Sequence, residues 1–416
     1  MILHELTVQN FRPFKNETFK FSERVTVIAG VNGRGKSAIL DAVAIMLSHL
    51  MPQVSPAKFR PLKLQQEDIH LGETDLQLAL RASLGEIAVE FAIGYHSPNS
   101  QRALLLPGVR QAILAQNGNM TAPIAVYYTT DRSVYIRPTR LYHGMKPDQS
   151  AAYDYALFNR LISFPEFMSR YRTWMDIVAI GDDYDGKNQR AMAMIDHVIR
   201  KFLPGFDKLY VDDFPVQLLV NKAGKRFEMR QLSAGERALL AMLIDLCRRL
   251  VLANPGLEDP LQGTGVVLID EIELHLHVRW QREIIEKLRT TFPKIQFILT
   301  THSPFIVQTL RDGELRLLAD DLDDDSLQEP GEYSNRGLEE VATKVMGVED
   351  PNVVPRYTRM LDAAREYYQL LETATPNDEQ QLNQLRARLD ALVEPFPDEP
   401  EYRAFLEVQR VAAFKE

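Results

Sequence analysis

The chain has 416 residues, 45% hydrophobic, 25% charged and 9% aromatic, enough for two or three packed units and unlike a disordered or repeat-biased sequence. A net charge of −9 and a pI near 5.6 exclude a polycation that coats nucleic acid, so any such contact is local. The apolar stretch from Leu239 to Leu246 and on to Ala253 is broken by Asp245, Arg248 and Arg249, which predicts no membrane span, and the start MILHELTVQNFRPF has no signal-peptide pattern.

Residues 3–9 and 25–29 read as strands and 37–50 as a helix with apolar spacings of three and four. Residues 75–95 alternate like a hairpin, and 123–129 is another β-rich run. Helical spacing follows over 151–178 and 188–202, then strand-like segments over 208–230 around the turn Asn221 to Gly224. A long helix is predicted over 233–253, from Ser233 to just before Asn254-Pro255-Gly256. Its one cysteine, Cys247, rules out an internal disulfide, reads as a buried small hydrophobe and fits a reducing cytoplasm. Residues 265–270 and 295–300 are continuous apolar strands of the doubly covered parallel kind, with a helix over 278–290 between them. After Leu318 an acidic run (Asp320, Asp321, Asp323, Asp324, Asp325) leads to a polar, helical tail from about 336, interrupted by Pro355, Pro376, Pro395 and Pro397. The reading is α/β, with a boundary near residue 330.

Three places carry chemistry. Gly30-Val31-Asn32-Gly33-Arg34-Gly35-Lys36-Ser37 is a complete G-x-x-x-x-G-K-S between a predicted strand and a predicted helix. Its glycines let backbone N–H groups close around phosphates, Lys36 reaches the β- and γ-phosphates, and the Ser37 hydroxyl coordinates Mg2+. The apolar strand Val266 to Ile269 ends in Asp270-Glu271, two carboxylates at a sheet edge where open α/β folds bind ligands. Asp270 is placed to hold the metal and Glu271 to orient or deprotonate water. Ser233 and Glu236 make a capping box at the start of the long helix. The same free N-terminus is an anion site able to receive the γ-phosphate of a nucleotide held by another copy.

The segments GVNGRGKS, QLSAGE, VVLIDEIELHLH and ILTTHSPFIV, in this order, resemble the ATPase head shared by ABC transporters, SMC, RecF and OLD-type proteins. The start LTVQNFRPFKNETFKF resembles the opening of the RecF and OLD branch. The resemblance implies an ABC-type P-loop ATPase head over 1–318: a mixed sheet with helices, an antiparallel β lobe and inserted helices at 50–230. A helical tail over 331–416, for partner binding or assembly, follows. It also implies a homodimer or higher homo-oligomer closed on ATP and Mg2+. Gly30, Asn32, Gly33, Gly35, Lys36 and Ser37 of one copy cradle the nucleotide, and Ser233 and Gly235 of the other cap it, with Ser37 and Asp270 as metal ligands. His302 matches the switch histidine aimed at the γ-phosphate, and Gln65 or Gln66 is similar in position to a metal-contacting glutamine.

The departures point within the same family. Ala234 and Glu236 stand where transporters carry Gly and Gln, which fits the OLD-like branch, and Val278 stands where that branch carries proline. No sustained heptad supports a coiled-coil arm with a zinc hook. Residues after 318 read as helix rather than as a Toprim nuclease domain. The aspartates at 320–325 read as a solvated loop, and His275 and His277 lack a third metal ligand nearby. Arg132, Arg137, Arg140 and Lys146, and separately Lys222, Lys225, Arg226 and Arg230, with tyrosines at 127, 128, 135 and 142, form a local basic patch open to nucleic acid or to ordinary surface use.

The whole pattern resembles the stand-alone ATPase subunits of bacterial anti-phage operons, the PtuA type of Septu and certain retrons. That resemblance implies a cytoplasmic ATPase switch, without membrane contact, for a separate effector such as an HNH-type nuclease or other retron components. The alternative is a RecF- or SMC-like DNA-binding clamp in repair.

Overall fold

Among the described residues, three β-sheets and their covering helices make up the first part of the chain, seen in a computed structural model. It describes residues 1–318 except 32, 97–120, 134, 143–147 and 158–161, and then residues 340, 341, 343, 345, 363, 366, 367, 384–388 and 391. The chain divides into two compact units, Met1–Gly347 and Val348–Glu416. In the first, Val341 and Val345 join the main apolar core. The few residues described in the second are helical. The acidic run at 320–325 lies outside the described residues.

In chain order, β1 (Ile2–Phe11) and β2 (Phe14–Lys20) form a hairpin, and β3 (Val25–Ala29) leads through the glycine loop into α1 (Lys36–Val54). A second hairpin, β4 (Leu76–Leu84) and β5 (Ile87–Tyr95), pairs with the first in the order β2-β1-β4-β5, antiparallel throughout. β4 buries Leu76, Leu78, Leu80, Ala82 and Leu84 in strict alternation, so one face of this sheet meets the core.

β6 (Ile124–Tyr128) follows, then the helices α2 (Phe164–Ala179) and α3 (Lys187–Phe202). They pack near a small antiparallel sheet of β7 (Phe206–Asp213), β8 (Val216–Lys222) and β9 (Lys225–Glu228). The helix expected from 151 starts only at Phe164. Tyr155 has a left-handed φ of +54, which an α-helix does not tolerate, and Pro165 in the first turn suits a helix start. A short 3-10 turn, Gln149–Ala152, precedes it.

α4 (Ala234–Ala253) leads to β10 (Gly265–Ile269), α5 (Val278–Thr291), β11 (Ile295–Thr301), the short α6 (Pro304–Val307) and β12 (Leu315–Leu317). The central sheet runs β12-β3-β11-β10-β6 and every pairing is parallel. β10 and β11 are buried at every position, as strands covered on both faces are. The one amide in β11, Gln296, is fully engaged. It accepts from the Leu3 N–H at 2.7 Å and donates to the carbonyls of Leu3 and Ser22, each at 2.8 Å, tying the parallel sheet to the antiparallel one.

The helix expected over 37–50 is α1, which is long and apolar enough to cross a bilayer by length and composition. Most of it is instead buried in the protein, because a helix apolar nearly all round is equally suited to a space between packed layers.

Candidate active site

The parallel register brings three strand ends together. Ala29 of β3 pairs with Thr301 of β11, and Leu299 of β11 pairs with Ile269 of β10. The residues just past these ends are therefore neighbours: the glycine loop from Gly30, the acids Asp270 and Glu271, and His302. This is the carboxyl edge, where ligands of open α/β sheets collect.

Gly30, Gly33 and Gly35 have φ values of +146, +82 and +91, conformations that L side chains rarely adopt. Gly35 is also pressed from outside, since a Cβ there would lie 2.7 Å from both Phe14 Cζ and Pro13 Cγ. Asn32 lies outside the described residues. Lys36 is buried, and its Nζ donates to the carbonyls of Gly30 at 2.9 Å and Val31 at 2.8 Å. Burial lowers its pKa from the ordinary value, against the opposing pull of Asp270, Glu271 and Glu273.

Ser37 Oγ donates to Asp270 Oδ2 at 2.8 Å, and Thr300 Oγ1 donates to Asp270 Oδ1 at 2.6 Å. Thr300 Oγ1 also accepts the Glu271 N–H at 2.7 Å, so one hydroxyl positions both acids. Ser37 and Asp270 thus offer a pair of hard oxygen donors of the kind Mg2+ takes. Glu271 has a left-handed φ of +46, uncommon for a residue with a side chain. The His302 N–H donates to Glu273 Oε1, and Thr301 Oγ1 donates to Glu273 Oε2 at 2.8 Å. Glu273 therefore fastens Thr301 and His302 to the acidic turn. Burial, then the charge of Lys36, lowers the His302 pKa from the ordinary value.

A cleft of about 420 Å3 opens beside these groups, lined among others by Arg12, Ser37, Asp41, Gln65, Tyr127 and Asp270. Of the two glutamines singled out, Gln65 lines this cleft, whereas Gln66 opens a 3-10 turn. Arg12 bonds Asp41 at 2.5 Å and Asp68 at 3.0 Å, which holds the cleft wall together.

Ser233 and Gly235 are on the N-terminus of α4. Ser233 is exposed and caps the helix, accepting the Glu236 N–H at 3.3 Å while Glu236 accepts the Ser233 N–H at 3.1 Å. Gly235 is buried against the acidic segment, and a Cβ there would lie 2.1 Å from the His275 carbonyl oxygen. The His277 ring caps α5 by accepting the Arg279 N–H at 3.2 Å.

Arg132 corrects the sequence reading. It was counted in the basic patch, yet it is 3% exposed and donates to the carbonyls of Asp270 at 2.7 Å and Glu271 at 2.6 Å. Tyr127 and Tyr128, counted with it, are buried in β6, and Lys146 lies outside the described residues. Thr300 and Glu273 were missed altogether. Each is a polar side chain in or beside an apolar strand, the only local sign that it has a partner waiting.

Residues 137–308 match a family model described as "AAA domain, putative AbiEii toxin, Type IV TA system", and residues 5–95 match a second AAA domain model. The chain is 28% identical to "Retron Vc95 probable ATPase" of Vibrio cholerae serotype O1 biovar El Tor, over 76% of this chain and 73% of that protein. It is 26% identical to "Retron Ec83 probable ATPase" of Escherichia coli, over 76% and 71%, and 22% identical to "Septu protein PtuA" of Bacillus thuringiensis, over 95% of each. Among solved structures, an SMC head bound to the C-winged helix domain of ScpA aligns over 74% of this chain and 91% of that one, at 18% identity and a TM-score of 0.45. The chain is an ATPase, similar over most of its length to two proteins named as retron probable ATPases and to the Septu protein PtuA.

Proposed function

We propose that the chain binds and slowly hydrolyses Mg-ATP as a nucleotide-sealed homodimer that switches a separate effector, a nuclease of HNH type or another retron component, in bacterial anti-phage defence. The effector and the defence role rest on the likeness to the retron and Septu ATPases. The catalytic part rests chiefly on one observation: Ser37, next in the chain to Lys36, and Asp270, next in the chain to Glu271, are in contact at 2.8 Å. In this reading Gly30, Asn32, Gly33, Gly35, Lys36 and Ser37 hold the triphosphate. Glu271 takes the proton of a water whose oxygen bonds to the γ-phosphorus as the bond to the bridging oxygen of ADP breaks. His302 donates to the γ-phosphate. Ser37 and Asp270 would hold Mg2+, and the metal would supply neutralisation of phosphate charge there.

The exposed Ser233 at the N-terminus of the 20-residue α4 is a helix start of the kind that receives anions. A second copy's nucleotide fits that chemistry. Glu271→Gln is expected to keep ATP affinity, to lower turnover by about 100-fold or more, and to run as a dimer with Mg-ATP in size-exclusion chromatography with light scattering. Turnover at the wild-type rate removes Glu271 as the base, and a persistent monomer removes the sealed dimer.

A further inference from the structure

We propose that Arg132 is a positioning residue for hydrolysis: its guanidinium grips the backbone of the acidic turn and fixes where the Glu271 carboxylate stands. The inference rests on the reading of Glu271 as the base.

Arg132 sits in the 3-10 turn Thr130–Ser133 that follows β6, and β6 pairs with β10 up to Tyr128 and Ile269. The two strands end side by side, so the side chain crosses directly to the neighbouring strand's end. Nη1 donates to the carbonyls of Thr129 at 3.2 Å and Asp270 at 2.7 Å, and Nη2 donates to those of Glu271 at 2.6 Å and Ile272 at 3.5 Å. Among the described residues it makes no ion pair. A buried cation without a paired carboxylate is costly, and here every side-chain bond it makes goes to Thr129, just past β6, or to the acidic turn. Glu271 itself is in the left-handed region, which persists only where surrounding bonds over-determine it. Those bonds are Arg132 on its carbonyl, the Leu274 N–H on the same carbonyl at 2.9 Å, and Thr300 on its N–H.

The planar fork matters because its two nitrogens reach two successive carbonyls, which a lysine ammonium cannot match with the same geometry. Among the described residues, the glycine loop, Lys36 and Ser37 make no hydrogen bond to Arg132, so nucleotide affinity is not its task. Its loss is therefore expected in kcat and not in ATP affinity.

The test measures kcat and ATP affinity for the full chain, for Arg132→Met, for Arg132→Lys, and for both in a Glu271→Gln background. Arg132→Met is expected to lose about 100-fold in kcat, the usual effect of a misplacement near 1 Å, with ATP affinity within about twofold. Arg132→Lys is expected to recover about tenfold of that loss. In the Glu271→Gln background neither change is expected to lower the residual rate further, because the group they position is already gone. An unchanged kcat, an equal loss of ATP affinity, or a loss that adds in full to that of Glu271→Gln overturns the proposal. Should Arg132→Met fail to fold, Arg132→Lys decides on the same three outcomes. If Glu271→Gln alone turns over normally, the base assignment falls; if it is inert while Arg132→Met is fully active, only the role of Arg132 falls.

Discussion

Gly235 shows how one residue can answer to two demands. The sequence reading gives it to a nucleotide, yet within a single chain its missing Cβ already makes room for the His275 carbonyl, 2.1 Å from where that carbon would stand. His275 has a φ of +63, so the segment between the acids and α5 is tightly shaped at both ends, at Glu271 and at His275. Gly235→Ala is expected to push the helix and this segment apart at a cost of about 1–3 kcal/mol. Scanning calorimetry would register it as a lower thermal midpoint even without nucleotide, and an unchanged midpoint would show that the approach is not tight. The residues legible from sequence were those in a recognisable spacing: Gly30, Gly33, Gly35, Lys36, Ser37, Asp270, Glu271 and His302. Arg132, Thr300 and Glu273 were not, because each acts on a backbone group or a side chain far along the chain, and no local pattern marks such a partner.

At the scale of the element, α4 carries more than its capped end. Asp245, Arg248 and Arg249, which in sequence only interrupt an apolar run, are all buried. Asp245 accepts from Arg249 Nε at 2.7 Å, Arg248 Nη2 at 3.0 Å and the Tyr128 hydroxyl at 3.0 Å, and Arg248 reaches Glu166 of α2 at 2.7 Å. The Tyr128 carbonyl accepts the Asp270 N–H at 2.9 Å. One tyrosine thus connects α4 to the residue that follows β10. Burial alone would raise the Asp245 carboxyl, but Arg249 and Arg248 hold it at about 2 against an ordinary 3.8. The folded value lies below the unfolded one, so its stabilising contribution is complete above the ordinary value and is lost as pH falls through about 2. Asp245→Asn leaves the buried Arg249 without its carboxylate and Arg248 with Glu166 alone, and is expected to cost about 3–5 kcal/mol near neutral pH. Urea titrations should show the gap between wild type and variant narrowing as pH drops from 5 toward 2, and a gap independent of pH would contradict this network.

For the whole molecule, the distribution of charge argues against a DNA clamp. The net charge is −9, and much of the basic patch has other occupations. Arg132 is buried. Arg137 donates to the Val216 carbonyl at 2.6 Å, Lys222 pairs with Glu236 at 2.6 Å, Arg230 pairs with Glu228 at 2.9 Å, and Arg226 lies over the Tyr210 ring at 4.4 Å. Filter binding at about 150 mM salt is expected to show no ATP-dependent retention of duplex DNA by the isolated chain, and tight retention with a steep salt slope would restore the clamp. By itself the sequence determined the α/β class, the glycine loop, the acid-ended strand and the long capped helix, because backbone conformation, apolar period and helix capping are written in neighbouring residues. Only the tertiary structure decided that the first apolar helix is a core helix, that Arg132 faces inward onto Asp270 and Glu271, and that Ser37 and Asp270 touch. Those facts depend on parallel strand register, which aligns residues more than two hundred positions apart.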